Sequence, residues 1–116
     1  MKTFDIATVV VEAKKQELPE SYRVSEKNMK IFKTYCMALD EIAERGDCKK
    51  ISVDIVGESN MIQVTIDVIE FVYQSMYQSE NYLNILERAT DVCFYSDDGE
   101  YISIVFTFPT LFEIDE

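Results

Sequence analysis

The sequence predicts an α+β domain in which helices pack on one face of an antiparallel sheet, forming a two-layer sandwich. Of its 116 residues, 47% are hydrophobic and 28% charged, so a single globular domain spanning residues 1–116 is expected. The segment Ser25 to Arg45 carries apolar residues at helical spacing. Other segments alternate apolar and polar residues with the period of two that is typical of strands.

The first third of the chain predicts a strand, a loop and a helix. Thr3 to Ala13 is predicted to be a strand, because β-branched residues dominate it. Apolar residues on both of its faces favour a central place in the sheet. The polar stretch 14–24 contains Pro19 and predicts a flexible loop. The helix Ser25 to Arg45 follows, with Ser25 as its N-cap and Gly46 in the left-handed conformation after its last residue.

The middle of the chain predicts a hairpin and a second helix. Apolar and polar residues alternate on both sides of the turn 57–60, which is typical of strands packed on one side only. The pattern over Phe71 to Gln78 fits a strand and a helix equally. Residues 79–89 favour a second helix, with Ser79 as N-cap.

The chain ends in another predicted hairpin, which turns at residues 97–99 and whose second strand stops before Pro109. An acidic tail over 109–116 completes the chain. The predicted order is β-α-β-β-α-β-β, a ferredoxin-like arrangement with an added C-terminal strand. Another two-layer α+β arrangement, such as the strand-helix folds of small secretion chaperones, is the alternative.

The composition excludes several classes of functional site. The chain has no His, which excludes His-based triads and His-dependent zinc sites. Its three Gly all fall at expected turns, so none remains for a phosphate-binding loop. We therefore expect no catalytic residues, no metal and no cofactor. Cys48, beside Lys49 and Lys50, is a weak candidate for a reactive thiol.

The three cysteines and the hydropathy pattern bear on the location of the protein. An odd number of Cys without a CxxC pair suits a reducing compartment. No apolar stretch approaches the roughly 20 residues of a membrane-spanning helix, and the N-terminus lacks the pattern of a signal peptide. We therefore expect a cytoplasmic protein without a membrane partner.

Negative charge is concentrated in the second half of the chain. The net charge is −11, and residues 51–116 hold thirteen acidic residues against Arg88 alone. Such a balance disfavours direct nucleic-acid binding, which depends on Lys and Arg, and it favours a basic protein partner. A well-solvated acidic surface without a partner is the alternative. The acidic candidates are Asp54, Glu58, Asp67, Asp97, Asp98 and Glu100.

Two further features predict interaction surfaces. Tyr73, Tyr77 and Tyr82 lie among Gln, Ser and Asn, a composition typical of binding patches as well as of core and turn residues. The helix Ser25 to Arg45 carries Lys in its first half and acidic residues in its second half, against the preference of the helix dipole. An antiparallel homodimer through this helix would pair opposite charges, and solvated charges are the alternative.

Together these observations predict a non-catalytic acidic interaction protein. It would act as an adaptor, chaperone or inhibitor that presents a negatively charged face to a basic protein partner and imitates the charge of nucleic acid. The alternative is a dimeric sensor or regulatory domain that binds a small ligand between its sheet and its helices.

Overall fold

The computed structural model of this chain describes residues 3–69, 89–97 and 101–115. The predicted class is confirmed, because two helices pack against an antiparallel sheet as two layers. None of the helices in the described ranges is long and apolar enough to cross a membrane. The elements within these ranges are α1 (Thr3–Glu17), β1 (Tyr22–Val24), α2 (Glu26–Arg45), β2 (Lys50–Val56), β3 (Met61–Ile69), β4 (Asp91–Asp97), β5 (Tyr101–Phe108) and β6 (Phe112–Ile114).

Four strands form the main sheet in the order β2-β3-β5-β4, with antiparallel pairing throughout. The predicted hairpin between β2 and β3 is confirmed, and Gly57 adopts a positive φ of 74° in its turn. Every second residue of β3 is buried, as the alternation of the sequence predicts. The final hairpin is also confirmed, because Asp97 of β4 pairs with Tyr101 of β5.

The predicted strand over Thr3 to Ala13 is wrong, because these residues belong to α1. The buried residues of this helix are Thr3, Ala7 and Val11, which are spaced four apart and therefore share one side of it. Val9 is 67% exposed, whereas a central strand would bury it. The consecutive apolar residues fit both periods, and the sheet has β3 and β5 at its centre instead.

A contact distant in sequence supports the start of α1. Asp40 of α2 accepts hydrogen bonds from the Thr3 backbone N–H (2.8 Å) and from Thr3 Oγ1 (2.6 Å). The first N–H groups of a helix have no partner inside the helix, so this carboxylate supplies one. Lys33 of α2 also lies over the Phe4 ring, 5.5 Å from its centroid. These contacts hold α1 against α2.

The second helix agrees with its prediction except at its C-terminus. Ser25 is confirmed as the N-cap, since its side chain accepts from the Asn28 N–H at 3.2 Å. Gly46, however, has a φ of −82° and is not left-handed. Asp47 adopts the left-handed conformation instead (φ 50°), and the Cys48 N–H then reaches the Ala43 carbonyl at 3.0 Å. The helix still ends at Arg45, but the left-handed residue of its Schellman-type end comes one position later than predicted.

Regular structure replaces part of two predicted irregular segments, the loop over 14–24 and the tail over 109–116. Lys14 to Glu17 continue α1, and Tyr22–Val24 forms β1. β1 pairs antiparallel with β6, Phe112–Ile114, in a separate two-stranded sheet. The end of the chain is therefore paired with a segment close to its beginning. Two predictions, the ambiguous stretch Phe71 to Gln78 and nearly all of the helix over 79–89, lie outside the described residues.

Candidate functional site

The main sheet has two chemically different faces. Phe108 of β5 packs edge-on against Phe32 of α2, with centroids 5.5 Å apart, and stacks on Tyr35 at 5.3 Å. Phe108 and its partner Ile62 therefore belong to the inner face, which packs on the helices. Residues at the alternate register positions form the outer face, which points away from the helices.

The outer face collects carboxylates from three strands. Asp54 of β2 and Asp91 of β4 occupy one register row, which runs across the sheet through β3 and β5. Asp67 of β3 lies on the same face, four residues further along its strand. Asp54 and Asp91 are exposed, and Asp67 is half-buried. Two sequence candidates, Asp54 and Asp67, are thus brought to one face, together with Asp91.

One cation moderates this charge. Lys50 is paired directly with Asp67 in the register of β2 and β3, and opposite charges at such positions attract each other modestly. No other Lys or Arg occupies an outer-face position in the described parts of these four strands. The face therefore keeps an excess of negative charge.

The distances between the carboxylates determine how they act together. Asp54 and Asp91 are separated by three strand spacings, about 14 Å, and Asp67 lies about 14 Å from Asp54 along the strands. The Debye length is about 8 Å at physiological ionic strength and about 30 Å at 0.01 M. A basic partner would therefore interact with all three charges together at low salt and mainly with contacting charges at physiological salt.

Hydrogen bonds fix part of this face. Ser103 Oγ donates to Asp67 Oδ1 at 2.5 Å, which orients the half-buried carboxylate. Gln63 Nε2 donates to Thr107 Oγ1 at 3.3 Å in the row that joins Asp54 to Asp91. Such bonds between neighbouring strands restrict side-chain rotation and so reduce the entropy that binding would otherwise cost.

The remaining acidic candidates do not all join this face. Glu58 is exposed in the turn between β2 and β3, at one end of the sheet. Asp97 ends β4 opposite Tyr101, but its side chain is not among those the structure describes. Five other candidates lie outside the described residues, namely Asp98, Glu100, Tyr73, Tyr77 and Tyr82.

Some of the acidic charge of the second half is neutralised elsewhere. Arg23 of β1 forms ion pairs at 2.8 Å with both Glu113 of β6 and Asp115. The acidic end of the chain is therefore matched by a cation from the first half and adds little to an unbalanced surface. This pairing narrows the candidate site to the main sheet.

The three thiols have raised pKa values, which makes them poor nucleophiles. Burial raises the pKa of Cys36 far above its ordinary value. Burial also raises the pKa of Cys48, and its Sγ donates to the Lys50 carbonyl at 3.2 Å. A hydrogen bond to Asp91 raises the pKa of Cys93, with Sγ 3.0 Å from Oδ2. The lysines beside Cys48 therefore do not produce the activated thiol that the sequence left open.

A cavity of about 590 Å³ lies between the helices and the edge of the sheet. Asp40 and Glu44 of α2 line it with Ile6 of α1, and Lys49 and Lys50 close it from the start of β2. Its wall thus carries charges of both signs. The cavity could not be predicted from the sequence, because it depends on the position of α1, which was predicted to be a strand.

Asp91 was also missed as a candidate. The sequence displays the charge of Asp91 but not the face of the strand on which it lies, because residues 92–95 are a run of apolar and aromatic side chains without alternation. Only the pairing of Asp91 with Thr107, in a row that also holds Gln63 and Asp54, places it on the outer face.

Comparisons with protein-family models, with curated proteins and with solved structures find no match to this chain. Evidence on function therefore comes from the geometry of the chain's own side chains. Two features of the described residues bear on function, namely the acidic outer face and the cavity beside α1.

Proposed function

We propose that this chain is a non-catalytic interaction protein whose outer sheet face binds a basic protein partner. The supporting observation is that Asp54, Asp67 and Asp91 share one face, on which Lys50 is the one cation among the described residues of the main sheet. Acting as an adaptor, chaperone or inhibitor, the protein would use this charge to accelerate encounter and to reject acidic partners.

The density of the charges indicates the kind of partner. Duplex DNA carries one negative charge per about 1.7 Å of its axis. The three outer-face carboxylates stand about 14 to 17 Å apart, as the strand spacing and the rise per residue require. They therefore fit a few separated Lys or Arg side chains of a protein, and they imitate isolated phosphates rather than a continuous nucleic-acid backbone.

An aromatic side chain on the same face would hold the complex after encounter. Tyr95 of β4 is 59% exposed and lies in the register row of Ser103 and Asp67. Tyr is enriched among the residues that dominate binding energy, because it buries a large rigid ring and keeps a polar hydroxyl. Tyr95 takes this role among the described residues, whereas the predicted tyrosines at 73, 77 and 82 lie outside them.

We assign this function to the cytoplasm. Cys36, Cys48 and Cys93 are all free thiols, and an oxidising compartment would expose the two partly accessible ones, Cys48 and Cys93, to oxidation.

A lysine decapeptide tests the proposal, with its affinity measured by fluorescence anisotropy at about 10 mM and about 150 mM ionic strength. The outer-face variant is Asp54→Asn/Asp67→Asn/Asp91→Asn. The control is Glu12→Gln/Glu17→Gln/Glu20→Gln, which changes exposed residues of α1 and the following turn and alters the net charge equally.

At low ionic strength we expect the outer-face variant to bind the peptide about tenfold more weakly than the unmodified chain, which corresponds to about 0.5 kcal/mol for each lost carboxylate. The control should stay within about twofold. Equal weakening of the two variants would show that only net charge matters and would contradict the proposal.

A small-ligand sensor is the second candidate, and the cavity beside α1 favours it. Its volume of about 590 Å³ falls within the usual range for ligand pockets. Asp40 and Glu44 line it together with Lys49 and Lys50, so a small zwitterion is the ligand class that fits. A thermal-shift screen of amino acids and related metabolites tests this, since a ligand that binds only the folded state raises Tm.

A further inference from the structure

Helix α2 carries a regular stripe of residues on the side opposite to its buried residues. The stripe repeats at alternating intervals of three and four residues, the spacing of the contact positions of a coiled coil. Five of its members are exposed and one is half-buried. Its members are Lys27, Lys30, Thr34, Met37, Glu41 and Glu44.

The charges of this stripe change sign at the centre of the helix, with Lys in the first half and Glu in the second. Lys27 precedes the point between Tyr35 and Cys36 by as many residues as Glu44 follows it. Lys30 and Glu41 are related by the same point. A two-fold axis through this point would place each Lys of one copy opposite a Glu of the other, because a two-fold interface is self-complementary.

Two further charged residues of α2 contact α1. Lys33 lies over the Phe4 ring, and Asp40 accepts two hydrogen bonds from Thr3. The contacts with α1 thus explain one Lys and one Asp in the order of charges along α2, which opposes the helix dipole. The stripe holds the remaining residues of that order; its Glu41 also pairs with Arg45 of the same helix at 3.1 Å, and its Glu44 also lines the cavity beside α1.

We propose that a second copy of this chain docks antiparallel on α2, with the two-fold axis between Tyr35 and Cys36. Lys30 would face Glu41 of the partner subunit about 8 Å from the axis, and Lys27 would face Glu44 of the partner subunit about 13 Å from it. Met37, which is 68% exposed, would pack beside the axis against Thr34 of the partner subunit.

The charge order of α2 supports a second copy rather than another occupant. Lys near the N-terminus and Glu near the C-terminus oppose the helix dipole, so the isolated helix gains nothing from this order. An antiparallel copy supplies the complementary order and also aligns the two dipoles favourably. The proposal is independent of the acidic outer face, because α2 packs on the inner face of the sheet.

Sedimentation equilibrium at low and high salt tests this interface. The stripe is mostly polar, so the dimer should be weak and salt-dependent. We expect its dissociation constant to rise at least tenfold between about 0.02 M and about 0.5 M NaCl. A chain that is monomeric at about 100 μM in about 0.02 M NaCl overturns the proposal, since Coulomb attraction is then least screened.

Charge reversal locates the interface. Lys27→Glu/Lys30→Glu makes the stripe wholly acidic, and Glu41→Lys/Glu44→Lys makes it wholly basic, so each variant alone should be monomeric. An equimolar mixture of the two should regain a dimer. The control Lys49→Glu/Lys50→Glu changes net charge as the first variant does, on exposed residues that follow α2 and do not belong to the stripe, and should dimerise within about threefold of the unmodified chain.

Far-UV circular dichroism of each variant confirms that its helices are retained. Dimerisation of both single-sign variants, or a mixture of folded variants that stays monomeric, overturns the antiparallel arrangement. Loss of dimer in the Lys49→Glu/Lys50→Glu control alone places the interface elsewhere and also overturns it. Peptide binding at the outer face is a separate readout, so either proposal can fail without the other.

Discussion

Removing the carboxylate of Asp40 should detach the start of α1 from α2. Asp40 accepts hydrogen bonds from the Thr3 N–H at 2.8 Å and from Thr3 Oγ1 at 2.6 Å, across 37 residues of sequence. In Asp40→Ala both donors lose this acceptor. Thr3 is buried, so water cannot easily replace it.

The size of the effect follows from these contacts. Hydrogen bonds to a charged acceptor contribute about 1.5–3 kcal/mol, and loss of a capping side chain costs about 0.5–2 kcal/mol. We take about 2–3 kcal/mol for the pair, because both bonds share one half-buried carboxylate oxygen. Alanine has the higher helix propensity and returns about 0.5 kcal/mol. The expected net loss is about 1.5–2.5 kcal/mol, or about 6–10 °C in Tm for a chain of 116 residues.

Urea unfolding followed by circular dichroism measures this loss. Asp40→Asn keeps an acceptor oxygen without the charge and should lose about half as much stability. Glu12→Ala, on the exposed side of α1, is the control and should stay within about 0.5 kcal/mol. A loss below about 0.5 kcal/mol in Asp40→Ala would refute the view that this carboxylate holds α1 in place.

Two further perturbations test the core. Phe106 is fully buried in the centre of the sheet, so Phe106→Ala should lose about 3–5 kcal/mol of unfolding free energy in urea. A loss below about 1.5 kcal/mol would contradict this packing. Cys36 has a pKa raised by burial above its ordinary value of 9.0, so the folded chain keeps a proton that the unfolded chain releases. The contribution of this protonated thiol to the free energy of unfolding is complete below pH 9.0. Above pH 9.0 the contribution falls by up to about 1.4 kcal/mol per pH unit. The stability of Cys36→Ala, measured by urea unfolding from about pH 8 to about pH 10.5, should therefore decline less steeply. If the stability of Cys36→Ala and that of the unmodified chain declined equally with pH, the result would contradict a protonated buried thiol.

The sequence predicts most of the strands correctly because their alternation is enforced by burial on one side. Ile62 to Val68 show this pattern, and each apolar residue among them is almost fully buried. Ser25 is likewise a local signal, since its side chain caps a backbone N–H three residues later. Such features depend on neighbours within one turn or one strand, and the sequence displays those directly.

The first helix could not be predicted in this way. Its Val9 to Val11 run satisfies both the helical and the strand period, and β-branched residues favour the strand. The helix is supported by contacts from α2, through Asp40 on Thr3 and Lys33 on Phe4. Tertiary contacts therefore override local propensity here. The cavity that α1 helps to line was missed for the same reason.

The candidate site was predicted in part. Asp54 and Asp67 were identified by their charge and by alternation in a hairpin, and both lie on the outer face. Asp91 was not singled out, because its strand shows no alternation and its face is decided by pairing with Thr107. The negative charge counted for residues 51–116 also included Glu113 and Asp115, which Arg23 neutralises. Counting charges gives a total, whereas the strand register determines which of them act together.

The acidic outer face is tested most directly by mapping where a basic ligand binds. Backbone amide shifts of the ¹⁵N-labelled chain would be followed by NMR during titration with the lysine decapeptide at low salt. We predict that the largest shifts fall on outer-face positions of β2, β3 and β4, around Asp54, Asp67 and Asp91, and that they vanish at about 0.5 M NaCl. Shifts spread evenly over the acidic residues of both helices and the sheet would contradict a defined binding face.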